Sequence, residues 1–554
     1  MPFRKRTIQE RFWEIVPGTM FWATLFFALF FSYYHPIWVA VFIIFFDLYW
    51  LFKAVNSAAH LISSHRRYKF FVTLNWIIFL EQLRDFKSYK VFLEQQANQE
   101  KNGPGRRYFR EELAKIKNLI AKGRSGRDYK SLYHIVLYPF VNEGFEVLST
   151  TFDSLSAVNY PKDKIIVLLA SEGRAGSAAQ QTAAKIKEKY GSQFFKFIIT
   201  THPDGLEGEI RGKSANATWA AQSLLPQLAE AGISIDDCII SNFDSDTIIH
   251  PEYLARVSYE FLTAENPYRS SFQPIAVYNN NIWDSPSFIR VVSVSNTFWQ
   301  FLESSRPNRL RTFSSHSMTL KALVEVGFWR KDLVNEDGYI FWQCYLHYDG
   351  DYRATPLFVP VSLDTCLADT YKQTLINQYK QKRRWAYNVE YYPTLIPGLL
   401  KSKAPFWDRM YKLYQYVEGN YNWATASIVI SSLGWLPLLI GGHRFGQTVV
   451  AQNLPFATKW IMNTATLFLI FSVYVNMVLL PPRPAKYSIW RTISMYLQWI
   501  FVPIISVLFG SIPAVEAQTR LMFGKYMEFW VTPKVRKSSH EEILRGQAVF
   551  KTNR

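Results

Sequence analysis

Residues 18 to 34 read GTMFWATLFFALFFSYY and carry no charge, and after His35 and Pro36 the run IWVAVFIIFFDLYWLFKAV contains only Asp47 and Lys53. A helix needs about 20 apolar residues to cross a hydrocarbon core ~30 Å thick, so these runs predict two membrane spans joined by a very short turn. A cleaved leader fits poorly: its apolar region would be shorter, would end in small residues and would not lead at once into a second apolar run. Three more uncharged runs come late, at 421 to 441 (YNWATASIVISSLGWLPLLIG), 460 to 480 (WIMNTATLFLIFSVYVNMVLL) and 492 to 512 (TISMYLQWIFVPIISVLFGSI). Aromatic side chains, 17% of all residues, crowd into these runs, as lipid contact favours. The chain reads as a membrane protein. Its residues 56 to 420 have ordinary soluble composition and suffice for one large globular domain and its connections.

The formal charge is +18, and its placement tells more than its total. Arg4, Lys5, Arg6 and Arg11 precede the first run, Arg66, Arg67 and Lys69 follow the second, and Arg483, Lys486 and Arg491 follow the fourth. Basic flanks favour the cytoplasmic side, so membrane orientation accounts for the excess without nucleic acid. A basic patch meeting an acidic substrate or lipid headgroups stays open. Cys238, Cys344 and Cys366 have no metal-ligand spacing and suit small core positions in a reducing compartment.

Three C-terminal spans would carry residues 513 to 554 to the far side, yet that stretch holds Arg520, Lys525, Lys534, Arg536, Lys537, Arg545, Lys551 and Arg554. The conflict resolves if 490 to 512 lies along the cytoplasmic interface, bent near Pro503, leaving four spans with both termini inside at the plasma membrane. The segment 404 to 419, APFWDRMYKLYQYVEG, reads as a second interface helix with Trp, Tyr and Phe facing lipid.

From Asn75 to Arg127 the composition suggests one or two surface helices linking membrane to globule. The pattern then changes. YHIVLYPFVNEG (133 to 144), DKIIVLLASEG (163 to 173), FKFIIT (195 to 200) and DDCIISNFDSD (236 to 246) read as strands, with helical stretches between them. Such alternation predicts an α/β domain with a mostly parallel sheet and a ligand crevice at the strands' C-terminal ends. The fourth strand ends in Asp244 and Asp246, whose mutual repulsion suits either an exposed turn or a bound hard cation.

PFVNE (139 to 143), DSD (244 to 246), NED (335 to 337) and QKRRW (381 to 385) stand in the order seen in processive family 2 glycosyltransferases, which include cellulose, chitin and hyaluronan synthases. FWVTPK (529 to 534) resembles the F-x-V-T-x-K gating loop of bacterial cellulose synthase. The resemblance implies a cytoplasmic GT-A domain, Rossmann-like, inserted between N- and C-terminal transmembrane helices. The divisions would be a transmembrane hairpin at 1 to 60, a helical linker at 61 to 130, the GT-A domain at 131 to 400, interface and transmembrane helices at 401 to 512, and a gating loop and tail at 513 to 554. It implies an inverting hexosyltransferase that takes a nucleotide-sugar, a UDP-sugar by the family's habit, and extends and secretes a polysaccharide. Transfer of one sugar to a lipid or short glycan, and an inactive GT-A-like scaffold, are the alternatives.

By that resemblance Asp244 and Asp246 hold Mg²⁺ or Mn²⁺ on the donor diphosphate, with Asp246 the better ligand and Asp244 facing the nucleotide. Asp337 is the general base for the acceptor hydroxyl, with Glu336 beside it in the substrate site. Arg384 meets the diphosphate, Trp385 stacks on an acceptor sugar, and Gln381 shares their helix face. Glu143, Glu172 and Lys213 contact the nucleotide, and Thr532 and Lys534 close over it. Partners would be the donor, a glycan or lipid-linked acceptor, membrane lipids, and further copies or accessory secretion subunits.

The chain also departs from the family. Asn335 stands where Thr is usual, and Ser171-Glu172-Gly173 stands for Asp-Asp-Gly. Ser315 and His316 replace the Phe-Phe-Cys-Gly acceptor segment, with His316 either a packing residue or an acceptor contact. Plainer readings remain beside the motifs: a helix cap for NEDG, a solvated lysine for Lys213, a juxtamembrane belt for YKQKRRW and a membrane-anchoring tail for FWVTPKVRK.

Overall fold

A computed structural model describes residues 6 to 100, 103 to 478, 480 to 533, 535 and 536. Its centre is an eight-stranded sheet built from β1 (Tyr133–Phe140), β2 (Ile165–Glu172), β3 (Lys196–His202), β4 (Cys238–Asn242), β5 (Ile248–Ile249), β6 (Ser270–Tyr278), β7 (His316–Thr319) and β8 (Arg353–Leu363), in the order β3-β2-β1-β4-β7-β6-β8-β5. β1, β2, β3 and β4 pair in parallel, β7 runs antiparallel between β4 and β6, and β6 and β8 are again parallel. The architecture is mixed α/β around a mostly parallel sheet.

Both faces of the central strands are covered, which is why they read as continuous apolar runs rather than alternating ones. Val136, Tyr138 and Phe140 of β1 enter one layer with Phe152, Ile186 and Tyr253 from helices on that face. Ile135 and Leu137 enter the other, with Ala217, Leu224, Ile340 and Leu395. The period of two thus sorts one strand into two cores.

The first two apolar runs form helices Ile8–Tyr34 and Pro36–Phe71, with only His35 between them. The second is 36 residues long, about 54 Å at 1.5 Å per residue, and so outruns a bilayer core. Its far end places Leu61, Tyr68 and Phe71 in the first core layer. It passes residue 60 without a break, so hairpin and linker share one rigid element. The segment expected as surface helices is instead three helices, Trp76–Gln82, Phe86–Gln99 and Pro104–Ala121. Trp76, Tyr89, Leu93 and Ile116 are fully buried against the domain. Their apolar faces were legible, but the partner they cover was not.

Among the described residues three helices are long and apolar enough to cross a membrane: Ile8–Tyr34, Pro36–Phe71 and Ile489–Met522. A fourth candidate is Phe406–Ser431 with Leu433–Ile440, bent by 48° at the break. The stretch 404 to 419 is therefore no separate interface helix: from Phe406 it runs unbroken into the next apolar segment. Val449–Val478 forms a further helix of 30 residues that packs against Pro36–Phe71.

The run 489 to 522 is continuous, with a 3-10 turn at Gln498–Phe501 before Pro503 and a π turn at Val507–Ser511 after it. One side is pinned to the domain. Arg290 donates to Gln498 Oε1 at 2.7 Å, Tyr379 to Glu516 Oε2 at 2.7 Å, and Arg491 to the carbonyl of Ser285 at 2.8 Å. The other side exposes Ile489, Ile493, Tyr496, Ile500, Ile504 and Leu508, the spacing of a single helical face.

Candidate active site

β1, β2 and β4 are parallel, so the loops after them gather at one edge of the sheet. A cavity of ≈ 870 Å³ opens there, lined by Lys213, Asp244, Asp246, Asp337, Arg384 and Trp385. Glu143, Glu172, Glu336, Gln381 and Thr532 face the same space. Residues drawn from stretches almost 400 positions apart in the sequence thus meet at one place. Lys534 lies outside the described residues.

Lys213 organises the carboxylates. It opens helix Lys213–Glu230, and its Nζ donates to Asp244 Oδ1 at 2.9 Å and to Asp337 Oδ2 at 3.0 Å. Burial disfavours its charged form, but Asp244, then Asp337 and Glu336, outweigh burial and hold its pKa above the ordinary range. Glu336 is pushed up to about 8, first by burial and then by the charge of Asp337. Asn242 Nδ2 donates to Asp337 Oδ1 at 3.4 Å, and Ser314 Oγ to Asp244 Oδ2 at 2.6 Å. His316 is fully buried, with Nδ1 donating to the Phe313 carbonyl at 2.9 Å and standing 3.9 Å from Asp337 Oδ1. Burial keeps its imidazole neutral by lowering its pKa.

The remaining acids are tied to their loops. Glu143 accepts from the Val141 amide and from Ser245 Oγ, both at 2.8 Å, and so links the end of β1 to the serine between Asp244 and Asp246. Asp246 is 1% exposed and accepts the Asp364 amide at 2.9 Å. Glu172 accepts from Arg174 Nε at 2.5 Å. The loop before Glu336 is held by Glu390, which takes the Val334 and Asn335 amides at 3.0 and 2.9 Å, while Asn335 Nδ2 donates to the Arg384 carbonyl at 2.9 Å. That last bond ties the NED turn directly to the QKRRW helix.

The C-terminal loop covers one wall. The Arg384 guanidinium stacks 4.6 Å from the Phe529 ring centroid, and Gln381 Nε2 lies 3.5 Å from Thr532 Oγ1. Phe529 packs on Gly212, where a Cβ would stand 2.8 Å from its Cγ; the missing side chain lets the loop reach the residue beside Lys213. Arg536 anchors the end of the loop with two hydrogen bonds to buried Asp364, at 2.8 and 3.0 Å. On its other side the cavity continues to helices Pro36–Phe71 and Phe406–Ser431, where Trp50, Lys53, Glu418 and Trp423 line it.

Sequence reasoning overlooked Asn242, Ser314, Glu390 and the Arg536–Asp364 pair. Asn242 had a signal, since it stands two residues before Asp244 at the end of the same strand. Glu390 and Asp364 had none, because their roles depend on which loops the fold brings together.

No family model matches the sequence, and no curated protein matches it. Among solved structures the chain is similar to a mannosyltransferase from Pyrobaculum calidifontis in complex with GDP-Man and Mn²⁺, at 14% identity over 71% of this chain and 88% of that one, with a TM-score of 0.38. It is also similar to residues 1 to 349 of S. aureus TarS in complex with UDP-GlcNAc, at 12% identity over 71% and 93% of the chains and a TM-score of 0.34. These likenesses are too distant to assign any residue.

Proposed function

We propose that the chain is an inverting, membrane-embedded glycosyltransferase that extends a glycan from a nucleotide-sugar donor. One observation carries the reading: the Lys213 ammonium bridges Asp244, at the end of β4, and Asp337, at the start of helix Glu336–His347, within a cavity that Arg384 and Trp385 also line. A buried cation shared by two carboxylates at a sheet's ligand edge can exchange partners when a charged ligand enters. When a donor diphosphate enters, Lys213 and Arg384 turn to it, and Asp337 is released to act as a base.

The acceptor hydroxyl then attacks the anomeric carbon, forming the new C–O bond as the bond to the diphosphate breaks. The hydroxyl proton passes to Asp337, and the bonding electron pair leaves with the nucleoside diphosphate. Asn242 orients the Asp337 carboxylate, and Phe529 and Thr532 help to keep water away.

Asp244 and Asp246 are hard oxygen donors at the end of one strand and fit Mg²⁺ or Mn²⁺. Among the described residues no group of three or more acidic, His or Cys side chains is arranged around an ion. Two carboxylates suit an ion that also binds phosphate oxygens. Such an ion would neutralise the charge that develops on the leaving diphosphate.

The catalytic domain is cytoplasmic in this reading. The pinned and exposed faces of Ile489–Met522 support its lying at the membrane interface rather than crossing. The cavity's continuation to Trp50 and Trp423 supports extension of a glycan toward the membrane helices. Incubation of the detergent-solubilised chain with a panel of nucleotide-sugars and Mn²⁺, followed by sizing of the product, tests both parts. A ladder of lengths supports polymer extension, one added unit supports single transfer, and no turnover of any donor contradicts the proposal.

A further inference from the structure

At its membrane side the cavity changes character. Arg306, Arg309, Arg311, Lys53 and Lys382 line it there, against the carboxylates Glu303 and Glu418. Glu418 is taken up by Lys53, with Tyr49 and Asn422 around it. Glu303 is shared loosely between Arg306 and Arg309, 3.8 Å from each. Arg311 rests about 6 Å from the rings of Phe313, Trp342 and Tyr416, and Lys382 bonds only to Asn296 Oδ1, at 2.6 Å, with the Trp385 and Trp423 rings 5.1 and 5.9 Å away. Neither has a carboxylate partner among the described residues.

This wall is therefore short of negative charge. The Arg306 and Arg309 side chains are only 13% and 27% exposed and line the cavity rather than the outer surface. Burial draws the Lys382 ammonium down to about 8, the strain of a cation held without a counter-charge. Flat rings stand beside the cations: Trp385 and Trp423 flank Lys382, and Phe313 lies by Arg311 with Trp299 edge to face against it at 4.6 Å.

We infer that this end of the cavity binds an acidic acceptor glycan, its pyranose faces stacked on the tryptophans and its carboxylates met by Arg311, Lys382 and the Arg306–Arg309 pair. The inference rests on the glycosyltransferase reading and narrows its acceptor to sugars that carry carboxylates. A phosphate-linked lipid would satisfy the cations but would leave the rings beside them unused.

The test is binding of an oligouronide, a neutral oligosaccharide of equal length, and a short-chain polyprenyl phosphate to the full-length detergent-solubilised chain, followed by tryptophan fluorescence and calorimetry. The oligouronide should bind about tenfold or more tighter than the neutral oligosaccharide, as one or two charge-assisted hydrogen bonds provide. That advantage should shrink as salt rises and fall severalfold in Arg311→Gln and in Lys382→Gln, with neutral binding unchanged. Equal affinity for the two oligosaccharides, or a charge preference that survives both substitutions, overturns the inference, as does preferential binding of the polyprenyl phosphate. Mn²⁺-dependent binding of a nucleoside diphosphate is measured on the same samples. Its presence shows that each variant is folded and leaves the donor reading standing even if the acceptor inference fails.

Discussion

Two buried charge networks lie within the domain, and only one of them faces a cavity. On the face of the sheet toward helices Pro104–Ala121 and Tyr253–Thr263, Arg256 pairs with Glu260 and stacks 4.0 Å from Trp76. Lys115 stands 3.4 Å from Glu260 and 3.6 Å from Glu112, and Tyr259 donates to Glu112 at 2.7 Å. At the strand ends, Lys213, Asp244, Asp337 and Glu336 form the second network. Burial is similar in both, so burial of charge does not mark function. The cavity separates them: the first packs against Trp76 and Tyr89 away from it, while Lys213, Asp244, Asp337 and Glu336 of the second line it.

The sharpest way to break the comparison is to disarm each network. Asp337→Asn should lower donor turnover by about 10²–10⁴-fold, the span of a lost general base, with little change in thermal unfolding. Release of nucleoside diphosphate measures it. Arg256→Met should do the reverse: it leaves Glu260 buried without its main partner, which costs ~3–5 kcal/mol of stability, read as a lowered midpoint in detergent, while turnover per folded molecule stays the same. If Arg256→Met abolished turnover in folded protein, the division between the networks would fail.

The two networks should also respond to pH with opposite signs. Burial would raise Glu260, but Arg256 and then Lys115 outweigh it and hold it below its ordinary value. Its stabilisation is therefore present above the unfolded value of 4.5 and is lost as pH falls through the lower folded one. Glu336, pushed up to about 8, keeps a proton in the fold that the unfolded chain releases near 4.5, so stability falls as pH rises between the two. Glu390, also pushed up to about 8 by burial, adds to that fall. Unfolding midpoints across pH 4.5 to 8 should decline less steeply in Glu336→Gln. Glu260→Gln should instead remove a loss on the acid side.

The smallest effect is expected at the loop. Gly212→Ala places a Cβ against Phe529. An overlap of that kind costs ~1–3 kcal/mol where nothing yields, so a loop that can shift should raise the donor KM by roughly fivefold, with kcat nearly intact. An unchanged KM would show that Phe529 does not close over the donor.

Much of this was legible in the sequence where the pattern was local. β1, β2 and β4 stood out because a strand buried on both faces has no polar alternation to obscure it, and Asp244 and Asp246 could be placed at a strand end for the same reason. The two antiparallel strands were not legible. β7 is four residues long and β5 two, and their pairing depends on neighbours far away in the chain. The same holds for side chains: Lys213 could be named, but its place between Asp244 and Asp337 arises from three separate elements. The joining of 404 to 419 with the apolar run after it was missed because its polar residues suit an interface helix, whereas Glu418 and Asn420 line the cavity from within one helix.

The account's central claim is that the cavity-facing network is a donor diphosphate site. Its most direct test is calorimetric binding of UDP and GDP to the wild-type chain with and without Mn²⁺, repeated on Asp244→Asn and Asp337→Asn. The account predicts Mn²⁺-dependent binding of one of these nucleotides, lost in Asp244→Asn and retained in Asp337→Asn. Binding that ignores Mn²⁺ and Asp244, or no binding of either nucleotide to the folded chain, would contradict it.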